Sequence, residues 1–332
     1  MKRLLMLVCF LMGAPTLAGE PQRKQTSGRT RPCQGQGPQR SVWPQGTLLW
    51  GTGRTVPAEE RSSVLASVDM RGVKRRGTSL KGLRLDKGRL VAGTRAPEKL
   101  VGAVFQGTAS DGQPVEVALC GAEPSPHDPS MVWYRIELWN ARSATWENPC
   151  VATGRVPSPR ALAVQGIWNE TGARQEMPGK FTFACENGAI AKCISWGYAP
   201  WATKDGRSLA DLHQACTRMA RADYCGDGSS HTHEDSPIDM YDDLAVSTRT
   251  TETSRGWNPA RASFEAAWTP EGAWCLARTR GGQAVETILA QCPGRFEPDA
   301  RDLGDGDHCA VRRKDAGTAP AMLRNRSYGK GP

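Results

Sequence analysis

Ser208-Leu209-Ala210-Asp211-Leu212-His213-Gln214-Ala215-Cys216-Thr217-Arg218-Met219-Ala220-Arg221-Ala222-Asp223-Tyr224-Cys225-Gly226-Asp227-Gly228 is the clearest helical stretch of the chain, and it runs into a polar loop of acids and histidines. Leu209, Leu212, Cys216 and Met219 recur at spacings of three and four along one face, so the pattern predicts a helix over 209–224 with Cys216 on its buried side. Ser208 stands at the N-cap position with Asp211 three residues on. Tyr224-Cys225-Gly226 reads as the helix end, where a glycine takes the left-handed cap. Asp223 there opposes the helix dipole unless it accepts specific hydrogen bonds. The reading that meets this constraint has Asp223 tying the following loop through backbone N–H groups, while Tyr224 packs its ring and bonds its hydroxyl.

Strand patterns surround this helix. The segments 101–107 and 115–120 flank Asp111-Gly112, a hairpin signal. In 131–140, Val132, Tyr134, Ile136 and Leu138 alternate with Trp133, Arg135, Glu137 and Trp139, giving one apolar and one mixed face. Further strands are expected over 161–168, 180–185 and 189–196, and a second hairpin turns at Pro270-Glu271-Gly272. A shorter helix fits 284–291, stopped by Pro293-Gly294. The expected fold is α+β, mainly antiparallel β and disulfide-rich, with one principal amphipathic helix.

Residues 1–18 read as an export signal: Lys2 and Arg3, an apolar core from Leu4 to Met12, and a small-residue exit at Ala14 to Ala18. Residues 19–45 form a basic arm rich in Pro, Gln and Gly, and 46–99 a β-rich segment. Within 71–93, Gly72, Gly77 and Gly82 recur every five residues, as do Leu80, Leu85 and Leu90. Two readings stay open there, a degenerate pentapeptide-type coil and short hairpins with glycine turns. A larger domain is expected over 100–326. No later run is long and apolar enough to span a bilayer, so the destination is secreted or periplasmic, without a transmembrane segment.

The chain has 11 cysteines, of which Cys9 lies in the signal. The remaining ten are Cys33, Cys120, Cys150, Cys185, Cys193, Cys216, Cys225, Cys275, Cys292 and Cys309. An even count in an exported chain points to disulfides, and the close cysteine pairs typical of structural zinc are absent from the sequence. A continuous helix would hold the Cα atoms of Cys216 and Cys225 about 13 Å apart, too far to bridge. A two-residue turn at Asn187-Gly188 would put Cys185 and Cys193 on opposite faces of a hairpin, which forbids a direct bond unless the turn slips. The rest of the connectivity stays open.

The formal net charge is +9. Part of the excess lies in the arm and part in Arg71 to Arg95, a surface that suits anionic envelope polymers as well as simple solubility. Nucleic acid is not an expected partner, because export separates the chain from it and no basic stretch interleaved with aromatics occurs.

The core motif Ala222-Asp223-Tyr224-Cys225-Gly226-Asp227 resembles the signature of the ADYC domain, a family of exported bacterial proteins without an established activity. Ser195-Trp196-Gly197-Tyr198-Ala199-Pro200-Trp201, Pro237 to Asp242, and Phe264-Glu265-Ala266-Ala267-Trp268 with Gly272 and Cys275 extend the likeness. The resemblance implies a domain of unknown function and supplies no catalytic residues.

Chemistry has two other candidate locations. Asp227, His231 and His233 form a possible metal set, since two imidazoles two residues apart, with carboxylates beside them, are able to share an ion. Trp133, Trp139, Trp196, Tyr198 and Trp201 form a candidate aromatic surface for sugars or a protein partner, against the reading of tryptophan as core filler. The acids Asp299, Asp302, Asp305 and Asp307 fail the EF-hand spacing and read as a solvated turn. No hydrolase signature or phosphate loop is present, and no cofactor is expected. The leading expectation is a disulfide-stapled, non-enzymatic binding or structural module of the envelope or exterior. An exported, metal-assisted hydrolase working through the post-motif loop is the alternative.

Overall fold

The computed structural model describes residues 31–34, 48–52, 64–126, 128–141, 143–250, 257–315 and 323–328; the expected export signal and most of the expected basic arm lie outside them. Strand β1 (Leu65–Asp69) is followed by two short ribbons, β2 (Lys74–Arg75) with β3 (Thr78–Ser79) and β4 (Leu83–Asp86) with β5 (Arg89–Ala92). Then come β6 (Ala103–Ala109), β7 (Pro114–Pro124), β8 (Val132–Asn140), β9 (Thr145–Glu147), β10 (Ala161–Gln165), the small ribbon β11 (Ile167–Trp168) with β12 (Arg174–Gln175), and β13 (Lys180–Cys185). The order β1-β13-β10-β8-β7-β6 closes on itself, because β1 also pairs β6, and every pairing is antiparallel. The result is a six-stranded barrel. Residues from both sides of position 100 build it.

Alternation fills the barrel. Phe105, Phe181, Phe183 and Tyr134 meet edge to face at its centre, with ring centroids 4.8 to 6.1 Å apart. The β4–β5 ribbon joins this core through Leu90, whose N–H donates to the Tyr134 hydroxyl at 2.8 Å. The glycine rhythm therefore belongs to hairpins: Gly72, Gly77, Gly82 and Gly88 all have positive φ, where a side chain would be strained. On the outer face of β10 and β13, Leu162, Val164 and Ala184 are covered by helices, which is why β10 is apolar at consecutive positions.

Those helices are α1 (Ala189–Ser195) and α2 (Ala210–Arg221), separated by the ribbon β14 (Thr203–Lys204) with β15 (Arg207–Ser208). Beyond them come β16 (Ile238–Asp242), β17 (Ala262–Thr269), β18 (Gly272–Leu276), α3 (Val285–Gln291), β19 (Phe296–Pro298), β20 (Val311–Arg313) and β21 (Leu323–Tyr328). The last six strands form a second antiparallel sheet, ordered β16-β21-β17-β18-β20-β19. Helix α2 packs against β17, β18 and β21 on one side and α1 on the other, so the helices lie between barrel and sheet.

Two expectations change. The segment 189–196 is helix α1, not a strand; Ala189, Ile190, Ala191, Cys193 and Ile194 are all buried, and a short apolar run buried all round has no period to separate helix from strand. Among the described residues, helix α2 is the longest of three α-helices rather than a lone principal helix, and it ends at Arg221 rather than Tyr224.

All ten expected cysteines are bonded: Cys33–Cys120, Cys150–Cys185, Cys193–Cys216, Cys225–Cys292 and Cys275–Cys309. Neither of the two local pairings tested by spacing is among them. Cys193–Cys216 locks α1 to α2, Cys225–Cys292 ties the motif to the end of α3, and Cys33–Cys120 anchors part of the arm to β7. Alkylation of the folded protein without reduction, read by intact mass, is expected to label no thiol in this set.

His213 is fully buried on α2, with Nε2 3.1 Å from the Ile190 carbonyl, Nδ1 unbonded and its ring edge-on to Trp168. Burial, with help from nearby Arg174, pushes its pKa down from 6.5 to about 4. The unfolded chain then binds a proton that the folded chain refuses between those values, so stability rises with pH through this window and is lost on acidification. The loss amounts to about 3 kcal/mol at most. Urea midpoints measured from pH 7 to pH 4.5 should fall more steeply for the wild type than for His213→Gln.

Candidate functional site

The motif begins where α2 stops. Ala222 takes the left-handed conformation at φ 52°, and the Asp223 N–H returns to the Arg218 carbonyl at 2.9 Å. The cap thus falls at Ala222, four residues before Gly226. Asp223 is turned inward, where its carboxylate accepts the N–H groups of Gly226 (2.9 Å), Asp227 (3.1 Å) and Gly228 (3.0 Å) and meets Arg218 Nη1 at 2.5 Å. Both charged side chains are buried. Arg218 also donates to the carbonyls of Thr171 and Pro270, so one ion pair joins the barrel's β11–β12 turn, the helix and the β17–β18 hairpin.

Tyr224 stacks on Trp268 with centroids 5.4 Å apart, and its hydroxyl donates to Glu265 at 3.1 Å while accepting the Arg280 N–H at 2.6 Å. Burial, reinforced by the Glu265 charge, holds its pKa well above 10. Glu265 sits in a bulge of β17, which aims its side chain inward; there it receives Arg280 through two bonds of 3.0 and 3.1 Å and Asn325 through one of 3.0 Å. Arg280 in turn donates to the carbonyls of Met219 and Ala220 and to the Thr232 hydroxyl. The sequence reading missed Glu265 and Arg280. The available signal was a carboxylate inside the apolar run Phe264-Glu265-Ala266-Ala267-Trp268.

The carbonyls of Tyr224 and Cys225 accept from Arg313, and the Tyr224 carbonyl also accepts the Ala273 N–H. Gly226 has φ 72°, and a Cβ there would lie 1.6 Å from the Glu271 carbonyl oxygen. Only glycine fits against the docked hairpin.

The loop fixed by these bonds leads to a cleft of about 480 Å³. His233, Glu234 and Asp235 come from the loop, Lys192 from α1, Trp196 from its C-cap, and Glu186 and Asn187 from the turn between β13 and α1. Lys192 lies 3.9 Å from Glu234, and burial lowers its pKa against the opposing pull of Glu234 and Asp235. The proposed metal set is not brought together here. His233 lines the cleft, His231 packs on the Tyr224 ring at 5.6 Å, and Asp227 is exposed. Among the described residues, Asp227, His231 and His233 do not gather their ligand atoms within 4.8 Å of one another, since His231 is held against the Tyr224 ring while His233 turns to the cleft.

The aromatic set is also divided. Trp133 and Tyr198 are buried, the first under Arg160 and the second donating to Asp242 at 2.9 Å. Trp139 lies against Trp146, and Trp201 against Gly88. Trp196 alone of the five lines the cleft. Of the acidic turn, Asp302 and Asp305 are exposed, but Asp307 is buried and bonds Tyr241, Arg249 and Arg324. It is a structural acid, not part of a solvated loop.

The buried Asp223, the tyrosine behind it and the bridged Cys225 coincide with a family signature: residues 97–282 match the ADYC domain. The chain belongs to the ADYC domain family. No curated protein and no solved structure matches it. The ADYC match ends inside the sheet, before β19, β20 and β21, and begins after β1.

Asp223→Asn removes the charge opposite a buried guanidinium and should cost about 3–5 kcal/mol, read as a lowered urea midpoint. Gly226→Ala should be harsher, leaving little folded protein by circular dichroism.

Proposed function

We propose that this ADYC chain acts outside the cytoplasm as a non-enzymatic binding domain, with the cleft beside the post-motif loop as its recognition site and an uncharged saccharide as its ligand. Five disulfides and the lack, among the described residues, of a helix long and apolar enough to cross a membrane support that compartment.

The observation that carries the ligand class is charge balance. Each charged side chain lining the cleft already has an opposite partner: Arg155 with Asp235, Lys192 with Glu234, Glu186 with Arg160, Asp239 with Arg326, and Arg280 with Glu265. An ionic ligand would have to displace one of them and leave its mate uncompensated. Trp196 offers an apolar ring, and Ser236, Ser247 and Thr248 offer hydroxyls, the combination that suits a sugar with one flat face and a polar rim. The motif itself contributes positioning: Asp223, Tyr224 and Cys225 spend their polar groups inside the fold. Metal-assisted hydrolysis gains no support from Asp227, His231 and His233, which do not share a pocket.

An array of neutral oligosaccharides probed with the mature protein tests this reading. Capture of a neutral glycan, weakened about tenfold or more by Trp196→Ala at unchanged melting temperature, is the expected result; tenfold corresponds to about 1.4 kcal/mol. Capture indifferent to Trp196→Ala, or release of a cleaved product that Lys192→Met abolishes, would overturn it.

A further inference from the structure

The two ribbons before residue 97 carry a different electrostatic pattern from the cleft, with unpaired cations in place of paired charges. Between Arg71 and Arg95 stand nine Lys and Arg side chains and one acid, Asp86. The two ribbons β2–β3 and β4–β5 carry most of them, and the glycine turns that fold the ribbons leave the long side chains outside. Between the ribbons lies a groove of about 590 Å³ lined by Arg75, Arg76, Lys81 and Arg95 together with the hydroxyls of Thr78, Ser79 and Thr94. No carboxylate lines it.

Arg75 donates to the Val101 carbonyl at 3.0 Å, which holds it in place without neutralising it. Arg76, Lys81 and Arg95 are exposed and form no ion pair among the described residues. A second depression of about 390 Å³ shares Arg76 and continues the track past Lys74 to Arg31, with Glu116 as its one acid. Like charges held this close repel one another, and a single acid, Asp86, stands among them in the sequence. A track of cations interspersed with hydroxyls, open along its length, fits a linear polymer of regularly spaced anions rather than a single ion.

We propose that this groove is a binding site for an anionic polysaccharide, held through sulfate, phosphate or carboxylate groups. The groove residues Arg75, Arg76, Lys81 and Arg95 all precede the stretch matched to the ADYC domain, 97–282. The cleft and the groove then take different ligands: the cleft, with its charges paired, takes a neutral group, and the groove takes a charged polymer. Such a polymer would fix the domain to a surface while leaving the cleft open.

Heparin oligosaccharide serves as the probe, with neutral dextran of similar size beside it, and binding is read by fluorescence anisotropy at 50 and 200 mM salt. Displacement of counterions from four cations predicts affinity for heparin that falls by about 100-fold over that range, and no affinity for dextran. Arg76→Gln/Lys81→Gln/Arg95→Gln should bind heparin at least about tenfold more weakly at 50 mM salt. A control of equal charge loss elsewhere, Arg135→Gln/Arg207→Gln/Arg261→Gln, should stay within about threefold of wild type. Equal losses in both triple variants would reduce the effect to net charge and overturn the site, as would the absence of heparin binding in the wild type. Trp196→Ala should leave heparin binding unchanged, which separates this site from the cleft.

Discussion

The architecture hangs on a carboxylate that has been taken out of water. Asp223 meets Arg218 with both groups buried, and the energy of removing two charges from solvent is offset only because each is saturated with further bonds: three backbone N–H groups on the acid, two carbonyls on the base. Those bonds reach three separate parts of the fold, the barrel's outer turn, the hairpin of the second sheet and the loop that enters the cleft. Geometry at one point is therefore shared by all three. A second buried pair, Glu265 with Arg280, lies on the other side of Tyr224 and grips the end of the same helix. Between them the tyrosine hydroxyl has one orientation that satisfies both neighbours.

This arrangement connects the motif to function at one remove. Ala222, Asp223, Tyr224 and Cys225 are buried, and no residue of the signature lines the cleft. What they control is the path of residues 226–236, and hence where His233 and Glu234 stand relative to Lys192 on α1 and Trp196 at its end. The disulfide Cys193–Cys216 fixes the other wall by joining α1 to α2. Cleft shape thus depends on covalent and ionic links buried behind it.

Much of the barrel was legible in the sequence because alternation survives wherever one face of a strand differs from the other. The hairpin at Asp111-Gly112 and the strand 132–140 show this, as does the cysteine count. Helix α2 was legible for the same reason at its own period, though its end was not: Ala222 takes a left-handed conformation that a residue with a Cβ rarely adopts, and tertiary bonds from Asp223 override the local preference for glycine. Helix α1 was hidden by burial on all sides, which erases periodicity. Trp133 was misplaced because the face of β8 opposite the barrel core is also covered, and Tyr198 because the turn after α1 folds its ring into the same helix-side core. The candidate site was legible only in its loop; the cleft takes Lys192 and Glu186 from elements far from that loop in sequence, and no spacing rule links them.

The closure of the barrel carries an architectural consequence. The segment common to the family starts at residue 97 and stops at residue 282, yet β1 lies outside it, as do β19, β20 and β21. Three of the five bridges, those of Cys33, Cys292 and Cys309, cross its borders. A protein sharing that segment alone would be left with two open strand edges at β6 and β13, and without Arg313 and Asn325 to satisfy the motif's carbonyls and Glu265. The recognisable portion is thus the inner part of the folding unit, and its flanks supply the parts that seal it.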